Sequence, residues 1–180
     1  MSLPHPALQI LLAAIATLAA VSDLRTRTIP NWVTVGGLAA AVLGQCILSG
    51  WAGGGRSAAL GFGVAMLVYL PLFLLRAMGG GDLKLMAALG AAAGAQNWFA
   101  IFLITSILGG PIALVTIVMS GRLGKTVRNI GAILSQLARF GAPHRANPEL
   151  DVAHPESVGL PHGAVIALGV AAFLFLARFA

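Results

Sequence analysis

The chain has 180 residues, of which 58% are apolar, and only 11 Lys and Arg and five Asp and Glu carry a formal charge. Charged residues make up 9% where a soluble domain has about 25%, which excludes an ordinary soluble globule. The net charge of +6 is spread between apolar runs instead of along a basic face with interleaved aromatics, so it argues for membrane topology and against a nucleic-acid partner.

Nothing in the chain alternates apolar with polar residues as a transmembrane barrel does, so the spans are read as helices lying between charges. No charge precedes Asp23, and the 17 residues from Pro6 to Ser22 make about 25 Å of helix, which predicts span one at about 6–22. Met1 to Pro6 lacks the Lys or Arg of a cleaved signal peptide. Between Arg27 and Arg56 lie 28 uncharged residues. Thr28, Pro30 and Asn31 act there as start signals and Gly53-Gly54-Gly55 as a stop, predicting span two at about 31–50. Span three is expected at about 57–75, with Pro71 tolerated inside it.

From Leu85 to Gly121 there are 37 uncharged residues, too many for one helix. The polar break Gly94-Ala95-Gln96-Asn97 divides them into a short span four, about 83–95, and span five, about 98–120. Residues 121–159 form a polar segment. Leu123, Val127, Ile130, Leu134 and Leu137 share one helical face, as in an amphipathic helix on an anionic leaflet, with a solvated connector as the alternative, and a loop is expected from Gly141. Span six is expected at about 160–177. The expectation is an all-α, six-helix polytopic bundle forming one membrane-embedded domain, 1–180.

Orientation follows from charge. With both termini outside, the cytoplasmic side receives Arg25, Arg27, Arg76, Lys84, Arg122, Lys125, Arg128, Arg139 and Arg145, against Arg56 and Arg178 outside. That distribution satisfies the positive-inside rule, and the reverse orientation inverts it.

The first 148 residues contain only two acids, Asp23 and Asp82, and this topology puts both at cytoplasmic span ends. An acid near membrane depth is costly and marks a functional site by default. Asp23 follows a helix C-terminus, where the macrodipole disfavours it, although Arg25 and Arg27 could compensate. Asp82 has a structural alternative as a helix N-cap. Span four is too short to bring it to the cytoplasmic boundary, so it should line a wet recess. Gly79-Gly80-Gly81 before it is either a tight interhelical turn or bare backbone that admits an extended peptide and offers N–H groups to an oxyanion. Two facing carboxylates in such a recess can perform general acid/base hydrolysis. A transporter or proton-coupled channel component using the same two acids is the alternative.

Other chemistries find little support. Cys46 stands alone in an apolar run, and no G-x-S-x-G, H-E-x-x-H, Rossmann or P-loop pattern occurs. His144, His154 and His162 with Asp151 and Glu156 match no compact ligand spacing, so neither a metal nor a cofactor is expected.

The stretch Ser22-Asp23-Leu24-Arg25-Thr26-Arg27-Thr28-Ile29-Pro30-Asn31, with Gly79-Gly80-Gly81-Asp82-Leu83-Lys84 and Leu160-Pro161-His162-Gly163, resembles the motifs of type IV prepilin peptidases. These are membrane aspartyl proteases of the GxGD class. The resemblance implies that Asp23 and Asp82 are catalytic, with Gly79, Gly80, Gly81 and Lys84 expected on the substrate-binding side. Family members commonly carry Tyr or Phe where this chain has His162. Long bifunctional members also have an N-terminal cytoplasmic segment, often with paired cysteines, and methylate the new N-terminus using S-adenosylmethionine. This chain resembles the short peptidase-only members that serve Flp or Tad-type pili. The implied substrate is a prepilin or pseudopilin, cut after a glycine at the cytoplasmic face of the bacterial inner membrane.

Overall fold

A computed structural model describes residues 3–76, 78–121, 123–124, 126–129, 131 and 161–179. Six long α-helices account for most of them, and no strand occurs among the described residues. They are α1 (Pro6–Thr26), α2 (Asn31–Ser49), α3 (Trp51–Leu74), α4 (Gly80–Ala93), α5 (Ala95–Met119) and α6 (His162–Leu176). Most of the expected segment 121–159 and its loop lies outside the described residues, including Ile130, Leu134 and Leu137. Within it, Leu123 and Val127 are exposed.

Four helices, α1, α2, α3 and α5, are long and apolar enough to cross a membrane. With 14 and 15 residues, α4 and α6 extend about 21 and 22 Å against a hydrocarbon layer of about 30 Å. Exposed tryptophans stand at both ends of α2, Trp32 at its start and Trp51 just beyond its end. Their separation along the chain amounts to about 28 Å of helix, which matches the spacing of the two aromatic belts of a bilayer.

Local sequence sets the helix ends, in places against expectation. Helix α1 continues one turn past Ser22, to Thr26, so Asp23 lies inside its last turn and not after it. Arg27 closes it in a left-handed conformation, its N–H donating to the Asp23 carbonyl at 2.9 Å. The stop after α2 is Gly50 (φ 78°), not Gly53-Gly54-Gly55, which lie inside α3. The reason is packing: a Cβ on Gly54 would collide with the Gln45 carbonyl, so this glycine serves a helix crossing, not a turn. Similarly, Gly80 and Gly81 are helical, and only Gly79 of that triplet is extended.

Helix α4 is the axis of the bundle. It contacts α1, α2, α3, α5 and α6, and every residue from Leu85 to Ala93 is buried. Lipid tails are as apolar as leucine, so apolar burial alone gives such helices little drive to associate; close backbone approach and interhelical hydrogen bonds, each worth roughly 0.6–2 kcal/mol, must hold them. Both are present. Gly61 of α3 meets Gly90 of α4 backbone to backbone, and a Cβ on either would strike the other's carbonyl. Gln45 Nε2 of α2 donates to the Ala92 carbonyl at 3.0 Å, and Asn97 Nδ2 of α5 donates to that of Ala93 at 3.2 Å. Two carbonyls orphaned at the α4 C-terminus thereby gain partners. The buried Trp98 indole adds a 3.0 Å bond to the Met86 carbonyl.

Candidate active site

Both early acids converge at one end of the bundle, where α1 and α3 finish and α2, α4 and α6 begin. Asp23 is 8% exposed, in the last turn of α1, where the helix's own dipole disfavours a carboxylate. The compensation comes from α6. The backbone N–H of Gly163, in the first turn of that helix, donates to Asp23 Oδ2 at 2.8 Å. A helix N-terminus is a ready anion site, so the arrangement suits a carboxylate and fixes its rotamer. The approach is close: a Cβ on Gly163 would lie 3.1 Å from both Cβ and Oδ2 of Asp23, tighter than ordinary contact.

Asp82 is half-buried in the first turn of α4. The N-cap is Gly79, so the alternative reading of Asp82 as N-cap does not hold: it occupies N3, with its carboxylate turned back toward the Gly79 backbone. Side chains at N3 commonly reach back to the N-cap in this way. Asp82 lies within electrostatic range of both Asp23 and His162. Three helices thus contribute ionisable groups to one end of the bundle.

The two early motifs also pack on each other. Ile29 covers Gly81, lying 3.4 Å from where a Cβ would be, and Phe73 of α3 covers Gly80 at 3.2 Å. Lys84 Nζ donates to Asn31 Oδ1 at 2.9 Å, clasping the start of α4 to the start of α2. The turn between α1 and α2 is tied by Ser22 Oγ to the Thr28 carbonyl at 2.8 Å and by the hydrogen bond between the Thr26 and Thr28 hydroxyls at 2.9 Å. Of the site residues expected from the sequence, Asp23, Asp82, Gly79, Gly80, Gly81 and Lys84 all sit at this end. Sequence reasoning did not find the Gly163 donor, although Pro161 two residues before it was a legible helix-start signal.

The histidine and acid set His144, His154, Asp151 and Glu156 lies outside the described residues. Among the described residues no cluster of three or more His, Cys, Asp or Glu could hold a metal ion.

Fold and site together define a helical membrane protein with a carboxylate pair held where helix ends meet. Residues 10–114 match the sequence model of the type IV leader peptidase family, more than half of the chain and including both acids. The chain belongs to that family, the prepilin peptidases. No curated protein and no solved structure matches it significantly.

Proposed function

We propose that the protein is an aspartyl endopeptidase of the bacterial inner membrane that removes the cytoplasmic leader from Flp or Tad-like prepilins or pseudopilins. Asp23 and Asp82 are its catalytic pair. The observation that carries this reading is the seating of Asp23: a buried carboxylate, held by the Gly163 N–H at 2.8 Å and within electrostatic range of Asp82.

In the proposed reaction the pair holds one proton. The ionised carboxylate takes a proton from water, whose oxygen attacks the scissile carbonyl carbon, while the protonated partner hydrogen-bonds the carbonyl oxygen. The tetrahedral intermediate collapses with cleavage of the C–N bond, and the leaving amine takes a proton from the pair. The first turn of α4, Gly79 to Lys84, forms the side against which the extended leader lies. Six spans with both termini outside place this end of the bundle at the cytoplasm, supported by nine of the eleven Lys and Arg falling on that side. Methylation of the new N-terminus is not part of the reading.

Co-expression with a Flp-type prepilin, followed by mass spectrometry of its N-terminus, tests the proposal. Release of the leader after a glycine, with no added methyl mass, is expected. An intact leader beside well-folded enzyme would contradict it.

A further inference from the structure

The chain has a single tyrosine, Tyr69, in the last third of α3. It is 4% exposed and continues a buried stripe formed by Ala58, Gly61 and Ala65. That stripe faces α4, and two contacts fix the antiparallel register: Gly61 against Gly90, and Phe73 against Gly80. Eight residues on from Gly61 is Tyr69, and eight residues back from Gly90 is Asp82. The Tyr69 backbone therefore stands level with that of Asp82, and the two residues are within electrostatic range of each other.

Its ring is held from the far side by α5. Trp98 and Phe102 stack on each other at 5.6 Å, and Tyr69 meets both edge-on, at 6.1 and 6.0 Å between centroids. Trp98 is itself anchored to the α4 backbone through its indole N–H. This clamp fixes the ring but does nothing for the hydroxyl, which makes no hydrogen bond among the described residues. A buried phenol usually finds a partner. Here an O–H donor on a clamped ring lies within electrostatic range of Asp82, and its oxygen is not among the fully enclosed unpartnered side-chain atoms, of which Thr105 Oγ1 is the one found among the described residues.

We propose that the Tyr69 hydroxyl is a third catalytic group of the site, donating a hydrogen bond to the oxygen of the scissile carbonyl as it becomes the tetrahedral oxyanion. This rests on the reading of Asp23 and Asp82 as the hydrolytic pair. While those two move protons, Tyr69 keeps its own and supplies a fixed dipole where negative charge develops. A preorganised donor of this kind acts on the transition state more than on bound substrate, so it changes kcat more than KM.

The test compares Tyr69→Phe, Trp98→Phe and Asp82→Asn in purified full-length protein, measuring prepilin cleavage and thermal unfolding. Tyr69→Phe keeps the ring and its packing; kcat is expected to fall about 10²-fold with KM within about twofold. Trp98→Phe disturbs the same aromatic cluster but leaves the hydroxyl, so its kcat should fall much less even if its melting temperature falls more. A Tyr69→Phe enzyme with wild-type kcat overturns the proposal, as does an equal kcat loss in Trp98→Phe, which would assign the effect to packing. Cleavage by Asp82→Asn would instead overturn the reading of the carboxylate pair.

Discussion

The Gly163 N–H reaches Asp23 Oδ2 at 2.8 Å, joining the last turn of the first helix to the first turn of the last. Alone, α1 would disfavour an acid at this position, and a buried unpaired carboxylate would be costly. The N-terminus of α6 reverses both effects. An alanine at position 163 would place a Cβ 3.1 Å from Asp23 Cβ and Oδ2, and the carboxylate must then shift by a few tenths of an ångström. Gly163→Ala is expected to lower the cleavage rate at least about tenfold, since small misplacements at a reacting centre are costly. Initial rates on a prepilin substrate, with melting temperature as control, check this; an unchanged rate would mean the contact does not position the acid.

The bond from Lys84 Nζ to Asn31 Oδ1 links the two motifs at an exposed position. A double-mutant cycle with Lys84→Met and Asn31→Ala should show a coupling of about 0.5–1.5 kcal/mol in unfolding free energy. Additive effects would show that this bond adds nothing to the packing of Ile29 on Gly81.

Glycines on one helix separate into two kinds. Gly61 faces the Gly90 backbone, whereas Gly63, two residues on, has nothing near the position of a Cβ. Gly61→Val should destabilise the bundle by about 3 kcal/mol or more, or prevent its accumulation, and Gly63→Val should have little effect. Expression level and thermal unfolding in one detergent compare the pair.

Much of this arrangement is legible in the sequence, for identifiable reasons. Intervals between charges, with the one polar break at Gly94 to Asn97, locate the six helices, because a charge at membrane depth is costly wherever it falls; α3 is the exception at its start, beginning at Trp51 instead of after Arg56, which lies in its second turn. The acids stand out because only two occur before residue 149. Glycine is harder to read. Gly53-Gly54-Gly55 reads as a stop and Gly79-Gly80-Gly81 as open backbone, yet Gly54 serves the crossing with α2, and Gly80 and Gly81 admit Phe73 and Ile29. Composition shows that a glycine lacks a Cβ, but not which neighbour uses the space. The Gly163 contact spans 140 residues, beyond the reach of any local pattern.

Orientation has a direct assay. In a Cys46→Ala background, Thr28→Cys, at the active-site end, should react with an impermeant thiol reagent only from the cytoplasmic side. Gly53→Cys, at the other end, should react only from outside. Both positions are exposed, and the reverse labelling would contradict the proposed topology.

The carboxylate pair is tested most directly by leader cleavage with Asp23→Asn, Asp82→Asn and the double variant, each in detergent or liposomes with its melting temperature recorded. The two acids act on one tetrahedral intermediate, so each single change should lower cleavage by at least about 10³-fold. The double change should be no worse than either, because groups that act as a unit are strongly non-additive. Folding should survive, since asparagine keeps the size of the side chain and removes a charge that is costly at that depth. Substantial cleavage by either folded single variant would contradict the assignment of these two residues as the catalytic pair.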